Sequence, residues 1–568
     1  MALNLDSPVG ELLDTPATRA VLDRLMPGFS TSPRLAPAIA MRLSLRTVAK
    51  HSGGLIDAAL LERTGAAFAE AQDAGAANAL GSSAAIDAGS AARSPARPAP
   101  APFPADEPRL RGYYAPLLLE GDVSRVPIDG AFPRELEGTL YRIGPNPQFA
   151  PRGPYHWFAG DGMVHAFRVA DGRVSYRNRW VRTPKWRLEH EAGEGLSGAF
   201  GNPLWSDPRI VALDSTVANT NVITHRGRLL ALEEAHPPFA LDADTLEPLG
   251  EDTFGGRLAG PFTAHPKLDP TTGETIAFGY STRGRFSPWA QVSTIGADGA
   301  VRRTLDVELP FASMVHDFAV TEHWIVLPVF PLTGSMDRTM AGGPPFAWEP
   351  ELGTRIALIP RRGDAPRIAW IEAPPCYVFH PMNHFEDEDG TIVVDVMRYD
   401  VAPLFPRPDG RPASEAPSPA SLHRWRIDPR AGSLRETRLD DRAGEFPRFD
   451  ERRCTRSYRH GWIVSGDEAF VRRGEDATEG LIGYDLMRGT SQRWIPPRGD
   501  RCGEPVFVPR SADAPEGDGW LLATVWRRAE NRSDLAVFEA QDLAAGPIGL
   551  ATLSHRVPAG FHGNWAAR

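Results

Sequence analysis

The chain has 568 residues and a net charge of −10, from 62 Lys and Arg against 72 Asp and Glu. At roughly 100–200 residues per domain, this length holds more than one folded unit or one large one. The acidic balance argues against a general nucleic-acid binder, and no apolar run reaches the ~20 residues of a membrane-spanning helix. The start of the chain lacks the pattern of a secretory signal, and three scattered cysteines make neither a disulfide framework nor a thiolate zinc site. We therefore expect a reduced, cytoplasmic enzyme that does not bind nucleic acid.

The N-terminal region differs in composition from the rest of the chain. Residues 7–63 predict short helices, one of which begins at Thr15-Pro16, with threonine at the N-cap and proline at the first helical position. From about residue 65 to 108, Ala, Gly, Ser and Pro dominate, and 95–102 is a proline-rich run that favours extended geometry. We therefore predict a helical segment of unknown role over 1–64 and a linker over 65–108.

From residue 109 to 568 the sequence is typical of an all-β domain. Tryptophan and tyrosine first occur at Tyr113, and short β-branched runs alternate with Gly, Pro and Asp turns. Examples of the predicted strands are Thr139–Ile143, Arg228–Leu232, Trp324–Val329 and Thr391–Val396. About 460 residues of short strands fit a β-propeller better than a sandwich, although no repeat of propeller length is visible.

Four of the 15 histidines have similar surroundings: apolar neighbours, a predicted strand end and a nearby turn former. They are His265, His316, His380 and His562. Their gaps of 51, 64 and 182 residues exclude a single helix or hairpin. The inner strands of different propeller blades, however, converge on one axis. Four neutral imidazoles meeting there suit a divalent metal, and the spacing does not choose among iron, zinc and copper.

A series of motifs in 109–568 resembles the carotenoid cleavage oxygenase family. Besides the four histidine contexts, the matching segments are Gly144–Phe149, Trp157–His165, Glu445–Arg448, Gly503–Arg510 and Pro558–Gly563. The resemblance implies a seven-bladed β-propeller with the small helical segment as an N-terminal appendage. It also implies an enzyme that splits a conjugated C=C bond with O2, using one Fe(II) per chain. By this resemblance His265, His316, His380 and His562 are the iron ligands.

The family also supplies three glutamates that support its ligand histidines. A metal-bound imidazole usually donates its second N–H to an acceptor, which fixes the ring tautomer. The resemblance pairs Glu234 with His316, Glu445 with His380 and Glu504 with His562, and it leaves His265 without a carboxylate. Glu233 is the alternative register for Glu234, and Pro238-Phe239 after it favours Glu234.

Several stretches resemble the stilbene-cleaving branch of the family. They are Tyr155–Gly160, Tyr176–Trp186, Gly342–Pro350 and Ala402–Pro406. That branch holds the 4-hydroxyl group of its substrate with a tyrosine and a lysine, which match Tyr155 and Lys185. A family threonine whose methyl lies near the iron matches Thr220. The implied reaction cleaves a small phenolic alkene with O2 into two aldehydes, and a deprotonated phenol makes the alkene more reactive.

Alternatives to this reading remain open. The same iron site serves carotenoid and apocarotenoid substrates, and one branch of the family isomerises or cleaves esters. A propeller that acts as an interaction module predicts that the four histidines do not converge. Ala235-His236 replaces glycines that many relatives carry, and residues 1–108 have no counterpart in the compact bacterial enzymes. The sequence does not decide the oligomeric state or any membrane contact.

Overall fold

Seven antiparallel sheets dominate the computed structural model. It describes residues 3–26, 29–30, 35, 38–39, 42–50, 56, 58–75, 100–213, 215–363, 367–415, 418–466 and 480–568. Within these residues, seven sheets of four to six strands and one additional two-stranded pair are present. The predicted seven-bladed β-propeller with an N-terminal helical appendage is therefore confirmed.

Five blades are formed by strands from one stretch of chain each, after five earlier strands. The earlier strands are β1 (Gly121–Val123), β2 (Ile128–Gly130), β3 (Gly138–Pro145), β4 (Gly162–Ala170) and β5 (Arg173–Trp180). The first two of the five blades are β6 (Asn221–His225), β7 (Arg228–Leu232), β8 (Phe239–Asp242) and β9 (Pro248–Glu251), and β10 (Lys267–Leu268), β11 (Thr275–Tyr280), β12 (Trp289–Ile295) and β13 (Val301–Glu308). The third contains β14 (Ala319–Val320), β15 (Trp324–Val329), β18 (Thr354–Pro360) and β19 (Ala369–Ala373), with the pair β16 (Leu332–Gly334) and β17 (Phe346–Trp348) inserted. The last two are β20 (Tyr377–Glu386), β21 (Ile392–Tyr399), β22 (Ser421–Asp428) and β23 (Ser433–Arg438), and β24 (Gly444–Phe449), β25 (His460–Ser465), β26 (Leu481–Asp485) and β27 (Thr490–Trp494).

The remaining two blades join strands from both ends of the β-domain and close the ring. Their C-terminal strands are β28 (Arg501–Cys502), β29 (Val506–Pro509), β30 (Gly519–Arg527), β31 (Arg532–Glu539), β32 (Gly549–Thr552) and β33 (Gly563–Ala567). Strand β2 pairs with β32, and β33 pairs with β3 from Gly138↔Ala567 to Arg142↔Gly563. Because the last strand completes a sheet begun early in the domain, the ring closes without a long exposed edge.

The blades pack face to face, and their central strands are buried on both sides. In β21 every residue except Arg398 is buried, including the adjacent pair Val393 and Val394. A strand covered on both faces tolerates a continuous apolar run, and β-branched residues fit such a surface. The short β-branched runs that predicted strands therefore form the interior of the blades.

The N-terminal helices form a small core of their own. They are α1 (Val9–Asp14), α2 (Pro16–Leu25), α3 (Leu45–Lys50) and α4 (Ala58–Gly75). Residues Val9, Leu12, Leu22, Leu45 and Phe68 are buried together. Helix α2 begins at Pro16 as predicted, but α4 continues well past residue 64, where the linker was expected to begin. That boundary was wrong because alanine, which read as linker composition, is the strongest helix former, and Phe68 anchors this part of α4 in the core. The part of the predicted linker at 76–99 lies outside the described residues.

Three further α-helices lie between strands in the described part of the propeller. They are α5 (Pro184–Ala192), α6 (Pro208–Leu213) and α7 (Met336–Met340). In the described part of the chain, no helix has the length and apolarity to cross a membrane. All three cysteines are buried and unpaired with one another. The cytoplasmic location stays a prediction.

Candidate metal centre and substrate cavity

The four predicted histidines meet at one point in the structure. His265 lies just before β10, His316 just before β14, His380 within β20 and His562 directly before β33. Their ligand nitrogens all lie within 4.8 Å of one another, and all four residues are buried. The Nε2 atom of His316 is 3.0 Å from that of His265 and 3.1 Å from that of His380. Four different blades therefore supply one imidazole each to a shared centre, which is the arrangement of a metal site.

Three of these imidazoles contact a glutamate through Nδ1. Glu234, which follows β7, contacts Nδ1 of His316. Oε2 of Glu445 lies 2.6 Å from Nδ1 of His380, and Oε1 of Glu504 lies 2.8 Å from Nδ1 of His562. A carboxylate at Nδ1 accepts that N–H and leaves the Nε2 lone pair for a metal. The neighbouring Glu233 contacts His236 instead.

The glutamates are held in turn by groups that the sequence did not reveal. The hydroxyl of Tyr280 donates to Oε2 of Glu234 at 2.7 Å. Oε2 of Glu504 accepts the Gly563 N–H at 2.8 Å and lies 3.1 Å from Nη1 of Arg448. The Phe446 N–H donates to Glu445. These contacts restrict the carboxylates and, through them, the planes of the imidazole rings.

His265 has a different environment. The family resemblance predicted no carboxylate partner for it, but Oδ2 of Asp317 lies 3.8 Å from its Nδ1. That separation is too long for a hydrogen bond. Oδ1 of Asp317 instead pairs with Nζ of Lys267 at 2.6 Å. His265 is thus accompanied by an ion pair between buried Asp317 and half-buried Lys267 rather than by a direct carboxylate acceptor, and nothing in the local sequence indicated that pair.

Burial keeps most of the imidazoles neutral. It lowers the pKa of His265 and of His380 well below the ordinary value, and it lowers the pKa of His562 to about 4. For His316, burial also lowers the pKa, but the charge and hydrogen bond of Glu234 outweigh it, so this pKa is raised. Neutral imidazoles have a free lone pair, and that is the form in which histidine binds a metal.

The two deeper glutamates differ in their charge environment. Burial raises the pKa of Glu445 to about 8. Burial acts in the same direction on Glu504, but the charges of Arg448 and His562 outweigh it and lower the pKa to about 2. Glu504 is therefore a fixed negative charge beside the histidines, whereas burial disfavours the charged form of Glu445.

A cavity of about 300 Å3 opens beside the histidines. Aromatic side chains form much of its wall: Trp157, Phe158, Phe200, Phe286, Phe346, Phe379, Phe446 and Phe561. Thr220 also lines it, and its hydroxyl donates to Oδ1 of Asn219 at 2.9 Å. Asn219 in turn donates to the carbonyls of Phe158 at 2.8 Å and Gly160 at 2.6 Å. The sequence did not single out Asn219, which fixes the orientation of the Thr220 side chain.

Lys185 lies in the cavity wall near the start of α5. Its Nζ is 2.6 Å from Oδ1 of Asp161 and 2.8 Å from Oε2 of Glu189, and all three residues are buried. Burial lowers the pKa of Lys185, but the two carboxylates outweigh it and raise the pKa above the ordinary value. Oε1 of Glu189 also accepts the N–H groups of Leu196 at 2.8 Å and Ser197 at 2.9 Å. Lys185 is therefore a structural cation as well as a cavity residue.

Tyr155 is placed differently from Lys185. It is half-buried and is not among the described residues that line the cavity. Its hydroxyl lies against Gly160, where a Cβ would be 2.9 Å away. Burial, with a contribution from the charge of Asp161, raises its pKa. The structure thus brings Lys185 and Thr220 to the cavity and leaves Tyr155 outside its wall.

A propeller in which four buried histidines converge, three of them in contact with a glutamate, has the features of a metal-binding protein. Residues 114–567 match the family described as Retinal pigment epithelial membrane protein, or RPE65. The chain belongs to this family, the carotenoid cleavage oxygenases. The match begins after the N-terminal helices, so those helices are additional to the family domain.

Several members of this family are similar to the chain over most of its length. Isoeugenol monooxygenase of Pseudomonas putida is 36% identical over 479 residues, which covers 82% of this chain and 100% of the relative. Lignostilbene-alpha,beta-dioxygenase isozyme III of Sphingomonas paucimobilis is 36% identical over 480 residues, covering 82% of this chain and 98% of the relative. The crystal structure of lignostilbene dioxygenase of Pseudomonas brassicacearum matches with a TM-score of 0.78 and 37% identity, over 82% of this chain and 100% of that one. This chain is an oxygenase of the family these proteins represent.

Proposed function

We propose that the protein is an iron(II)-dependent dioxygenase that cleaves the central C=C bond of a phenolic stilbene with O2, giving two aldehydes. The observation that carries the proposal is the convergence of four buried histidines beside an aromatic cavity of about 300 Å3. The relatives named for lignostilbene and isoeugenol support a phenolic alkene as the substrate.

The residues present fit iron. Four imidazole nitrogens within 4.8 Å of one another form a donor set that suits a divalent first-row metal. His265, His316, His380 and His562 would hold one iron per chain, and Glu234, Glu445 and Glu504 would keep three of the rings oriented. When bound, iron(II) supplies the activation of O2. No protein acid or base is required, so the protein contributes orientation and a dry, shaped site.

The cavity favours a compact substrate. Its volume is at the lower end of the roughly 300–1,000 Å3 typical of ligand pockets. Phenylalanine rings on its wall suit the flat rings of a stilbene, because aromatic pairs gain energy in stacked and edge-to-face arrangements. A stilbene needs less room than a full-length carotenoid, so this volume favours the stilbene over a full-length carotenoid.

Lys185 is proposed as the contact to the substrate hydroxyl group. An ammonium has three N–H donors, and Asp161 and Glu189 accept two of them. The third has no partner among the described residues and is available to a phenol oxygen. Because the two carboxylates already balance its charge, Lys185 acts here as a hydrogen-bond donor rather than as the counter-ion of a phenolate.

Two further residues complete the proposed substrate site. Tyr155 remains the second contact to the phenol, since it lies close enough to Asp161 for that charge to affect its pKa. This role requires its side chain to turn towards the cavity when substrate binds. Thr220, whose hydroxyl is held by Asn219, lines the cavity, and by the family resemblance its methyl group would restrict access to one side of a bound iron.

A substrate panel tests this proposal. Protein loaded anaerobically with Fe(II) receives O2 together with 4-hydroxystilbene, its O-methyl ether, isoeugenol or an apocarotenal, and aldehydes are measured by mass spectrometry. We expect cleavage of 4-hydroxystilbene and little cleavage of the ether. Cleavage of the apocarotenal alone would be consistent with the proposed metal centre but would contradict the proposed phenolic stilbene substrate. No aldehyde from any compound, with iron bound, would overturn the function.

A further inference from the structure

The segment between helices α2 and α3 of the N-terminal region packs against the propeller beside the cavity. Ala38 and Leu43 are buried in one cluster with four propeller residues, Leu196, Ile210, Val211 and Met336. Ile210 and Val211 belong to α6 and also line the cavity. The N-terminal module, which we define as the described residues between 3 and 75, therefore rests on the elements that form the cavity wall.

The backbone of the module comes very close to the propeller at one point. A Cβ on Gly284 would lie 2.4 Å from the carbonyl oxygen of Arg42, and Gly284 has a φ of +108°. Both observations require glycine at this position. Arg285 and Phe286, which follow Gly284, line the cavity. The contact thus joins the module to a propeller loop that reaches the cavity.

Arg42 extends from the module into the cavity wall. It is itself in the left-handed region, with a φ of 50°, which is uncommon for a residue other than glycine. Its Nη2 donates to Oε1 of Glu11 at 2.8 Å, and the Arg42 side chain is 39% exposed. Its Nε and Nη1 groups have no partner among the described residues. Arg42 is therefore a partly exposed residue of the cavity wall that is anchored by Glu11 and has hydrogen-bond donors still available.

We propose that Arg42 is a specificity-determining residue and that the N-terminal module makes the cavity prefer phenolic alkenes that carry a carboxylate. The inference rests on the proposed function and names the substrate class more narrowly. A guanidinium is suited to a carboxylate because it offers several donors in one plane. Arg285 adds a second cationic residue to the same wall. The carboxylate of Glu233 also lines the wall, where it contacts His236.

Binding measurements test the inference independently of turnover. Under anaerobic conditions, stilbene fluorescence gives the Kd of the iron-loaded full chain for 4-hydroxystilbene and for its 4′-carboxylate. Replacing Arg42 by alanine should weaken binding of the carboxylate about 5-fold, the upper range for a partly exposed ion pair, and leave the neutral compound within 2-fold. Arg42→Lys should recover part of the loss. Arg46→Ala is the matched control, since Arg46 belongs to the same module and pairs with Asp6 at 2.8 Å outside the cavity wall.

Glu11 provides a second variant that does not remove the cation. Glu11→Gln should weaken carboxylate binding less than Arg42→Ala does, and it should have no effect when Arg42 is already alanine. Equal losses for both ligands, an equal effect of Arg46→Ala, or no binding by the wild type would overturn the inference. If the stilbenes bind with the expected preference but are not cleaved, the proposed function fails and the role of Arg42 stands.

Discussion

Replacing Lys185 by methionine tests the buried charge cluster in the cavity wall. Methionine keeps most of the side-chain volume and removes the ammonium that pairs with Asp161 and Glu189. All three residues are at most 5% exposed, so the variant leaves two carboxylates buried without a cation. Breaking a buried ion pair in this way costs about 3–5 kcal/mol. We therefore expect a large loss of stability in addition to any loss of substrate binding.

Thermal unfolding measures this loss of stability, and the dependence of the loss on pH shows whether the buried carboxylates cause it. Burial already raises the pKa of Asp161, and removal of Lys185 raises it further. A carboxyl group whose folded pKa is raised destabilises the protein above its unfolded pKa, and the penalty disappears as the pH falls below that value. The difference in stability between the variant and the wild type should therefore be small near pH 4 and largest near pH 7.

Two more variants serve as a control and as a partial rescue. Arg187→Met removes an exposed cation from the same helix and should change stability by no more than about 0.5 kcal/mol. Adding Glu189→Gln to Lys185→Met removes one of the two carboxylate charges and should recover part of the loss. A loss below about 1 kcal/mol in Lys185→Met, or a loss that does not depend on pH, would contradict the reasoning.

Two further predictions concern the metal centre and the docked module. Glu445→Gln should lower iron affinity roughly 10- to 100-fold, because an amide is a weaker acceptor for His380. Competition with a chelator measures this, with exposed Glu388→Gln as the control, and equal affinities in the two variants would remove Glu445 from its supporting role. Gly284→Ala should displace the module, because the new Cβ meets the Arg42 carbonyl at 2.4 Å. Hydrogen exchange should then show loss of protection in the module, and unchanged protection would refute the contact.

The four histidines could be singled out from the sequence because they share a local context, and the resemblance to the carotenoid cleavage oxygenases then implied that they are metal ligands. His265, His316, His380 and His562 are each flanked by apolar residues near a strand end, and the structure places them together. The propeller followed from the length of the β-region and its short β-branched strands. These patterns involve residues that are close together in the chain, so they can be recognised in a single sequence.

Several contacts that the sequence did not reveal join residues far apart in the chain. Tyr280 reaches Glu234, and Lys267 reaches Asp317, across different strands with no characteristic spacing. Lys185 was chosen as a substrate contact, and its burial between two carboxylates depends on tertiary packing. Arg42 belongs to a region outside the family match, where no motif indicated contact with the cavity.

An iron titration tests the central claim most directly. Metal-free protein receives increasing Fe(II) under anaerobic conditions, and the rate of aldehyde formation from 4-hydroxystilbene is measured after O2 is added. The rate should rise linearly, stop rising at one iron per chain and stay at background in His562→Ala. A rate that is independent of iron, or a His562→Ala variant with the wild-type titration curve, would contradict a catalytic iron held by the four histidines.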